Sequence, residues 1–412
     1  MMSPLELKPA FMTNLSQDAK DHLYMSEALR LAKKGVFTAQ PNPRVGCVLV
    51  KNDEVIGRGW HRKAGEPHAE VYAIKQAGLL AKGATAYVTL EPCSHFGKTP
   101  PCANALIEAG VARVVTAMQD PNPSVAGTGL ARLKANGIEV QVGVLAEQAR
   151  TLNKGFMKRM ESGLPWLSIK MAMSLDGRTA MDSGESQWIT GPQARADVQR
   201  LRAECSAVLT GIGTLLHDDA ALTVRAAQFD VKRFSEDMCL SADAGGDGVL
   251  LDEILQHQPL RVVMDSKARM SINSRLLEMK SPVLWVVSGG AITSESQKKI
   301  ADLDYVEVLS LPDLSSPESL NQVLTHLASL ACNEVLVEAG STLAGSFVEA
   351  GLWDELIVYM APKFMGSKAR PLLNLPIDNM HSATPLSLKD IRQFGDDIRL
   401  IYQPADEHDA AV

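Results

Sequence analysis

From Asp18 to about Gly155, segments with strand periodicity alternate with segments with helix periodicity. A hairpin is predicted over residues 45–60, with its turn at Asn52 and Asp53, because β-branched residues flank that pair. This alternation predicts an α/β fold in which helices cover both faces of a largely parallel sheet. The predicted helices are 20–34, 68–77, 102–109 and 128–136, and the other predicted strands are 85–90, 112–118 and 139–145.

A second α/β unit is predicted to begin near residues 160–166, where the sequence MESGLPW interrupts the pattern. Residues 226–259 are polar, rich in Gly and Asp and weakly periodic, which indicates a surface insertion. Because 412 residues are too many for one ordinary domain, we predict two domains, over 18–163 and 164–404. The predicted elements of the second unit are a helix at 192–204 and strands at 206–211, 260–265, 282–289, 334–340 and 355–362.

The composition argues against several classes of protein. A transmembrane helix is not predicted, because the sequence contains no run of about 18 apolar residues. The N-terminal residues do not form a secretory signal, and six cysteines in 412 residues are too few for a disulfide scaffold, so we predict a cytoplasmic protein. The net charge is −7 and no basic run is present, so neither nucleic acid nor a membrane is predicted as a partner.

Four residues of the first unit have the pattern of a zinc-dependent deaminase. His68 and Glu70 open the predicted helix 68–77, and Cys93 and Cys102 flank a loop framed by prolines. The pattern H-x-E followed by P-C and a second cysteine is typical of enzymes that deaminate cytosine-like or adenine-like rings. The histidine and the two cysteines supply the three ligands of a catalytic zinc site, and Glu70 remains to carry the proton.

The spacing of the two cysteines departs from that pattern. Eight residues separate Cys93 from Cys102, where the usual pattern has two. The longer loop, which includes SHFGKTP, changes one wall of the pocket and argues against a free base or a nucleoside as the substrate. His95 in this loop is either solvated, a substrate contact or the fourth ligand of a structural zinc site. A catalytic site is favoured, because a structural site gives Glu70 no purpose.

Two other segments carry weaker signals. In PNPRVG (41–46), Asn42 lies between two prolines that hold it in an extended loop, so its amide can bind the edge of a substrate ring. The segment DPNP (120–123) follows a predicted strand, at the end of a parallel sheet where ligands bind. Ordinary tight turns explain each segment equally well by itself. In VEAGSTLAGSF (337–347), a glycine-rich turn between a strand and a helix is suited to a phosphate, although close helix packing explains its glycines equally well.

The whole chain, from about Tyr24 to Tyr402, resembles the bifunctional riboflavin-biosynthesis enzymes. In this family a diaminohydroxyphosphoribosylaminopyrimidine deaminase is fused to a 5-amino-6-(5-phosphoribosylamino)uracil reductase. The resemblance implies an N-terminal cytidine-deaminase-like α/β/α sandwich with Zn²⁺, a C-terminal dihydrofolate-reductase-like α/β domain with NADPH, and a homo-oligomer. It rests on PNPRVG, GEPHAEV, TLEPCSHFGKTPPC, MQDPNP, NKGF, KMAMSLDGRTA, SGESQWITG, DDAALTVR, VEAGSTLAGS and YMAPKFMG.

The resemblance also implies roles for particular residues. It implies that His68, Cys93 and Cys102 bind zinc and that Glu70 transfers the proton. The positions implied for NADPH are Ala172, Trp188, Thr214, Asp218, Gly340, Ser341, Thr342, Leu343, Ala344, Gly345 and Ser346. The positions implied for the phosphoribosyl substrate are Ser186, Arg202, Leu222, Arg225 and Glu338. Ala220 stands where the family commonly has proline, and the 226–259 insertion looks longer than usual, which leaves the placement of Leu222 and Arg225 open.

We therefore predict two successive reactions on small phosphoribosyl pyrimidines. Hydrolytic deamination of 2,5-diamino-6-(5-phosphoribosylamino)pyrimidin-4(3H)-one is followed by NADPH-dependent reduction of the ribosyl side chain of the product. A tRNA or nucleoside deaminase with an accessory domain is the alternative, but it predicts a basic stripe and a C-x-x-C pair. A zinc-stabilised binding module and a fusion with only one active half are further alternatives; the binding module predicts that Glu70→Ala leaves function intact.

Overall fold

The structure, a computed structural model, describes residues 15–94, 100–123, 125–230 and 247–405. The described residues form two compact units, with the main boundary between Gly163 and Leu164. Each unit contains a sheet with helices on both faces, so the predicted α/β fold class is confirmed. Within the described ranges, the helices are all too short or too polar to cross a membrane.

The first unit is built on one five-stranded sheet. Its strands are β1 (Gly46–Lys51), β2 (Glu54–Trp60), β3 (Thr85–Val88), β4 (Arg113–Thr116) and β5 (Glu139–Val142), in the order β2-β1-β3-β4-β5. Its described helices are α1 (Gln17–Lys33), α2 (Ala69–Ala77), α3 (Cys102–Glu108), α4 (Thr128–Ala135), α5 (Ala146–Leu152) and α6 (Lys154–Ser162), with a 3-10 turn at Gly78–Ala81.

The prediction of a largely parallel sheet is wrong for half of this unit. Strands β3, β4 and β5 pair in parallel, but β1 is antiparallel to both β2 and β3. The hairpin reverses the chain at Asn52 and Asp53, which both have positive φ, as predicted for its turn. The crossover through α2 then places β3 beside β1 rather than beside β2, so β3 runs antiparallel to its neighbour.

Alternation along β1 gives the first unit its two cores. Cys47 and Leu49 face α2, α3 and α4, whereas Val48 and Val50 face α1 and α5. The sheet is therefore the middle layer of an α/β/α sandwich. Gly59 of β2 allows close packing on one face, because a Cβ there would lie 2.0 Å from the carbonyl oxygen of Ala69, at the start of α2.

The second unit contains a nine-stranded sheet in the order β11-β10-β9-β8-β12-β6-β13-β16-β15. The strands are β6 (Trp166–Ser174), β7 (Arg178–Ala180), β8 (Ala207–Gly211), β9 (Leu260–Met264), β10 (Val283–Ser288), β11 (Val306–Leu311), β12 (Glu334–Val337), β13 (Glu355–Ala361), β14 (Arg370–Pro371), β15 (Leu386–Phe394) and β16 (Asp397–Pro404), of which β7 and β14 form a separate pair. The described helices are α7 (Pro192–Glu204), α8 (Ile212–Asp218), α9 (Asp247–Gln256), α10 (Arg275–Glu278), α11 (Glu295–Ala301), α12 (Pro317–Ser329) and α13 (Ser341–Glu349), with 3-10 turns at Ala226–Gln228 and Met380–Ser382.

Sequence periodicity did not predict four strands of this sheet, namely β6, β11, β15 and β16. From β11 to β13 the neighbouring strands are parallel, and the hairpin of β15 and β16 adds an antiparallel edge. Residues of α7, α8, α10 and α11 pack on one face, and those of α12 and α13 on the other. The predicted 226–259 insertion is not wholly irregular, since α9 lies within it; residues 231–246 lie outside the described ranges.

Candidate active sites

Three potential metal ligands converge in the first unit. The ligand atoms of His68, Cys93 and Cys102 all lie within 4.8 Å of one another. Nδ1 of His68 is 3.2 Å from Sγ of Cys102 and 3.6 Å from Sγ of Cys93. Tetrahedral zinc, with bonds of about 2.1 Å to nitrogen and 2.3 Å to sulfur, holds such atoms about 3.6 Å apart. The geometry of the three residues therefore fits zinc.

Secondary structure brings these ligands together from three separate segments. His68 is the residue before α2 and has extended backbone, so it lies just outside the helix in which it was predicted. Cys102 is the first residue of α3, and its backbone N–H donates to Sγ of Cys93 at 3.3 Å. The backbone N–H of Ala103 donates to the Cys93 carbonyl oxygen at 3.1 Å, which holds the loop after β3 against the start of α3.

The electrostatics of the two sulfurs also fit a cation. Hydrogen bonds from Cys102 and His68 lower the pKa of the Cys93 thiol to about 4, although burial opposes this. The neighbouring Cys93 sulfur and burial raise the pKa of the Cys102 thiol. The protein alone thus favours one thiolate and one thiol, and a zinc ion between the sulfurs favours two thiolates.

Glu70 lies beside this cluster in the first turn of α2. Its side chain is 3% exposed, and its Oε2 atom has no hydrogen-bond partner among the described residues. Burial raises the pKa of its carboxyl group, while the nearby His68 lowers it. A buried carboxyl with one unsatisfied oxygen is suited to exchange a proton with a bound reactant.

His61 connects Asn42 to the metal-ligand cluster. The sequence patterns did not single out this histidine. The Nδ2 atom of Asn42 is 3.0 Å from Nε2 of His61, and Nδ1 of His61 is 3.3 Å from the Pro67 carbonyl oxygen. The ring of His61 contacts that of His68 edge-on, with centroids 5.3 Å apart. If Nδ1 of His61 carries the proton, Nε2 accepts from Asn42 and the amide oxygen of Asn42 is available to a ligand.

Glu91 organises the loops around the cluster. The sequence analysis did not predict this role, and the only signal for it was the position of Glu91 in the EPC motif. Its buried carboxylate accepts backbone N–H bonds from Asp120, Gly127, Gly129 and Leu130, at 2.9–3.2 Å. The carboxylate therefore holds the start of α4 and the DPNP segment against the Pro92-Cys93 turn. His95, for which three roles were left open, lies outside the described residues.

The second unit contains a cleft of about 800 Å³ at the carboxyl ends of β6, β8 and β12. This edge of a parallel sheet is where ligands of α/β proteins usually bind. Most of the residues predicted for NADPH and the substrate line the cleft, namely Ala172, Ser186, Trp188, Arg202, Thr214, Asp218, Leu222, Arg225, Glu338, Gly340, Ser341, Thr342 and Leu343.

Three of the predicted cofactor positions do not line this cleft. Ala344, Gly345 and Ser346 lie inside α13, which begins at Ser341, so the predicted glycine-rich loop ends earlier than expected. Ala344 is buried in the core, and a Cβ on Gly345 would lie 2.3 Å from the carbonyl oxygen of Asn374. These two residues serve packing, whereas Gly340 and the first turn of α13 face the cleft.

The polar centre of the cleft is the carboxylate of Glu338. Arg202 donates to it from Nε at 2.5 Å and from Nη2 at 3.0 Å, and Nζ of Lys170 lies 4.0 Å away. Burial raises the pKa of Glu338, but Arg202 and Lys170 more than offset this and keep the pKa below its usual value. Burial lowers the pKa of Lys170, against the effect of Glu338. Lys170 was not among the predicted site residues, although it lies in the KMAMSLDGRTA motif.

The fold and the two sites define a zinc-dependent deaminase joined to an α/β reductase. Residues 18–118 match the zinc-binding region of cytidine and deoxycytidylate deaminases, and residues 165–400 match the RibD C-terminal domain. The chain belongs to the RibD family of riboflavin biosynthesis proteins, and it is a bifunctional hydrolase and oxidoreductase of that pathway.

Relatives and solved structures cover nearly the whole chain. The riboflavin biosynthesis protein RibD of Escherichia coli strain K12 is 48% identical over 382 residues, which is 92% of this chain and 98% of the relative. RibD of Haemophilus influenzae is 48% identical over 391 residues, 95% of this chain and 99% of the relative. A structure of Acinetobacter baumannii RibD has a TM-score of 0.83 at 43% identity, and covers 95% of this chain and 100% of its own.

A structure from Thermotoga maritima has a TM-score of 0.78 at 30% identity, with 95% of this chain and 100% of its own covered. Its title describes a diaminohydroxyphosphoribosylaminopyrimidine deaminase/5-amino-6-(5-phosphoribosylamino)uracil reductase. Both halves of the chain therefore have relatives with the same domain arrangement, and the alternative of a tRNA or nucleoside deaminase is not supported.

Proposed function

We propose that residues 18–163 deaminate 2,5-diamino-6-(5-phosphoribosylamino)pyrimidin-4(3H)-one and that residues 164–404 reduce the product. The observation that carries this proposal is the convergence of His68, Cys93 and Cys102 beside Glu70, whose Oε2 atom is buried without a partner. A structural zinc site needs no such carboxyl group, whereas hydrolytic deamination needs a group that moves protons.

In the first site, the three ligands would hold zinc, which supplies activated water near neutral pH. Glu70 takes a proton from the water while the water oxygen bonds to the amine-bearing ring carbon. Glu70 then returns a proton to the leaving nitrogen. The bond between that carbon and nitrogen then breaks, and ammonia leaves. Asn42, oriented by His61, binds the edge of the ring and so places the reacting carbon over the cluster.

In the second site, NADPH would supply a hydride to C1 of the ring-opened ribose, and a proton taken up from solvent would complete the ribityl chain. The first turn of α13, from Gly340 to Leu343, presents a helix N-terminus that suits a phosphate of the cofactor. Ala172, Trp188, Thr214 and Asp218 would bind the rest of NADPH, whereas Ser186, Arg202, Leu222, Arg225 and Glu338 would bind the substrate. All of these residues line one cleft, which supports their joint role.

The proposed setting is the cytoplasm, with small molecules as ligands, without nucleic acid or a membrane, and with the enzyme as a homo-oligomer. Cys47, Cys93 and Cys102 form no disulfide, in keeping with a reducing compartment.

An assay that follows the nicotinamide absorbance tests both halves. Zinc-loaded wild type, given the diaminopyrimidinone substrate and NADPH, should oxidise NADPH after deamination. Glu70→Ala should fail with this substrate and recover when the deaminated intermediate is supplied. If wild type leaves NADPH untouched even with the intermediate, the reductase assignment is wrong. If Glu70→Ala deaminates normally, the assignment of Glu70 is wrong.

A further inference from the structure

Three basic and two aromatic side chains meet at β2, the edge strand of the first sheet. The guanidinium carbon of Arg62 is 4.8 Å from the ring centroid of Trp60 and 4.6 Å from that of Tyr72. Nζ of Lys34 is also 4.8 Å from the Trp60 centroid. Arg58 adds a third positive charge, which acts on Lys34 together with that of Arg62. We call these five residues the Trp60 patch.

The carboxylates of Glu27 and Glu66 contact the Trp60 patch, but neither pairs with Lys34. Oε1 of Glu27 accepts from Nε of Arg58 at 2.6 Å. Oε2 of Glu66 accepts from the Tyr72 hydroxyl at 3.1 Å. Among the described residues, no carboxylate lies within ion-pair distance of the Lys34 amine or the Arg62 guanidinium. The patch therefore carries an excess of positive charge.

The Lys34 amine differs from that of its neighbour Lys33. Lys33 ends α1 and is exposed, whereas the side chain of Lys34 is half-buried. Burial lowers the pKa of the Lys34 amine, and the charges of Arg58 and Arg62 lower it further. Cation–π attraction by Trp60 opposes this effect, but Lys34 shares the ring with Arg62, whose like charge repels the ammonium.

A lowered pKa increases the fraction of unprotonated amine, and this is the form of lysine that acts as a nucleophile. The backbone of Lys34 is fixed, because its N–H donates to the Leu31 carbonyl oxygen at 3.0 Å. Lys34 is thus an amine held in one place, partly open to solvent and without an anionic partner among the described residues. These are the properties of a lysine that reacts faster than an ordinary surface lysine.

The two guanidinium groups suit an acyl donor that carries a phosphate. Arg58 uses its Nε atom for Glu27, and its terminal N–H groups remain for another acceptor. The side chain of Arg62 lies against two rings and makes no hydrogen bond within the described part of the chain. Guanidinium groups bind phosphate oxygens through such donors, so the phosphate of an acyl phosphate is attracted to the same patch as the amine.

We propose that Lys34 is a site of acylation by small acyl phosphates such as acetyl phosphate, and that Arg58 and Arg62 hold the phosphate leaving group. The unprotonated amine attacks the carbonyl carbon, and the bond from that carbon to the phosphate oxygen breaks. The nitrogen loses one proton to solvent, inorganic phosphate leaves, and an amide remains.

The neutral amide ends the repulsion between Lys34 and the two guanidinium groups, and it can still pack on the Trp60 ring. The proposal does not rest on the two reactions proposed above, because the residues of the Trp60 patch are neither metal ligands nor part of the reductase cleft.

Mass spectrometry of the full-length, zinc-loaded enzyme tests the proposal. The protein is incubated either with acetyl phosphate or with N-hydroxysuccinimidyl acetate, an acyl donor without a phosphate. Initial rates of acetylation at Lys34 and Lys33 are read from fragment ions after digestion by a protease that does not cleave at lysine. Wild type is compared with Arg62→Gln and with Arg132→Gln, which removes an exposed guanidinium of α4 that is not among the charges acting on Lys34.

We expect acetyl phosphate to acetylate Lys34 about 10-fold faster than Lys33, a factor that corresponds to an ordinary difference in pKa between lysines in folded proteins. The donor without a phosphate should give a smaller ratio of the two rates. Arg62→Gln should lower the ratio measured with acetyl phosphate, because it removes both a repelling charge and a phosphate donor. Arg132→Gln should keep the wild-type ratio.

Acetylation of Lys34 that is no faster than that of Lys33 would overturn the proposal. Equal ratios with the two donors in wild type would overturn the role of the guanidinium groups in holding the phosphate. An equal fall of the ratio in both variants would contradict the role of Arg62. Thermal unfolding confirms that each variant is folded, and the comparison of donors in wild type decides the outcome if Arg62→Gln is not.

Discussion

Asn153 binds the backbone of Arg44 through both ends of its side-chain amide. Its Oδ1 atom accepts from the Arg44 N–H at 2.7 Å, and its Nδ2 atom donates to the Arg44 carbonyl oxygen at 2.9 Å. Asn153 also precedes α6, but its side chain does not cap that helix. The NKGF motif thus holds the PNPRVG loop, two residues beyond Asn42.

Asn153→Ala should therefore destabilise the first unit and impair deamination. Both backbone groups of Arg44 lose a buried partner, which costs about 2–4 kcal/mol of the free energy of unfolding. KM for the diaminopyrimidinone substrate should rise as the loop that carries Asn42 loosens. Urea denaturation and deaminase kinetics measure the two effects. Asn136→Ala, at an exposed helix end, is the control, and equal effects of both variants would contradict this role.

Glu70→Gln should abolish proton transfer while it preserves the shape of the side chain. The rate constant kcat for deamination should fall by about 10²- to 10⁴-fold, the usual contribution of a general acid–base group. Reduction of the deaminated intermediate should not change, because that reaction uses the other unit. Release of ammonia in single turnovers measures the effect. Glu66→Gln, at an exposed position in the loop before α2, should retain activity; a similar loss in both variants would contradict the assignment.

Removal of zinc should separate the two activities. Treatment with a strong chelator should stop deamination and leave NADPH oxidation with the intermediate intact, because the reductase cleft contains no part of the metal cluster. The thiols of Cys93 and Cys102 should then become reactive toward a thiol reagent, and added zinc should protect them again. Loss of both activities on chelation would show that the two functions are not separable in this way.

Asp197 should make the stability of the second unit depend on pH. Burial raises the pKa of its carboxyl group, but Arg200, Arg399 and Tyr359 more than offset this, so the pKa in the folded state lies below the usual 3.8. Its stabilising contribution is therefore complete above about pH 4 and is lost as the pH falls through the lower, folded-state value.

Asp197→Asn should accordingly cost about 3 kcal/mol at pH 7, because Arg200 and Arg399 both lose the charge of this buried partner, and Arg399 keeps only the half-buried Asp390. The deficit relative to wild type should shrink on acidification below about pH 4. Urea denaturation at several pH values measures both effects. A deficit that stays constant with pH would show that the carboxylate charge is not what stabilises this network.

Gly129→Ala should weaken zinc binding without touching a ligand. A Cβ at this position would lie 2.0 Å from the carbonyl oxygen of Pro92, so α4 must shift away from the turn that carries Cys93. Outer-shell changes of this kind typically cost about 10- to 100-fold in metal affinity. Competition with a zinc-binding dye measures the change. Lys134→Ala, on the exposed side of α4, is the matched control and should bind zinc as wild type does.

Local patterns in the chain were sufficient for several features. The turn residues Asn52 and Asp53 predicted the first hairpin, because few residue types tolerate positive φ at both turn positions. The H-x-E and P-C patterns predicted the ligands that converge, because the ends of strands and the starts of helices carry them. Periodicity was not sufficient for the order of the strands, and so the antiparallel pairing of β1 with β3 was not predicted.

The sequence by itself determined the α/β class, the three potential metal ligands and the family, because these depend on residue type, periodicity and motif. Only the tertiary structure decided how side chains from distant segments share their bonds. Arg202 is paired with Glu338 although 136 positions separate them, and Arg275 lies in the cleft without any motif to mark it. Ala344 and Gly345 lie inside α13 and serve its packing, although the family resemblance implied a cofactor contact for them. Hydrogen bonds and packing between distant segments form only in the folded chain, so residue spacing cannot reveal which donors remain free for a ligand.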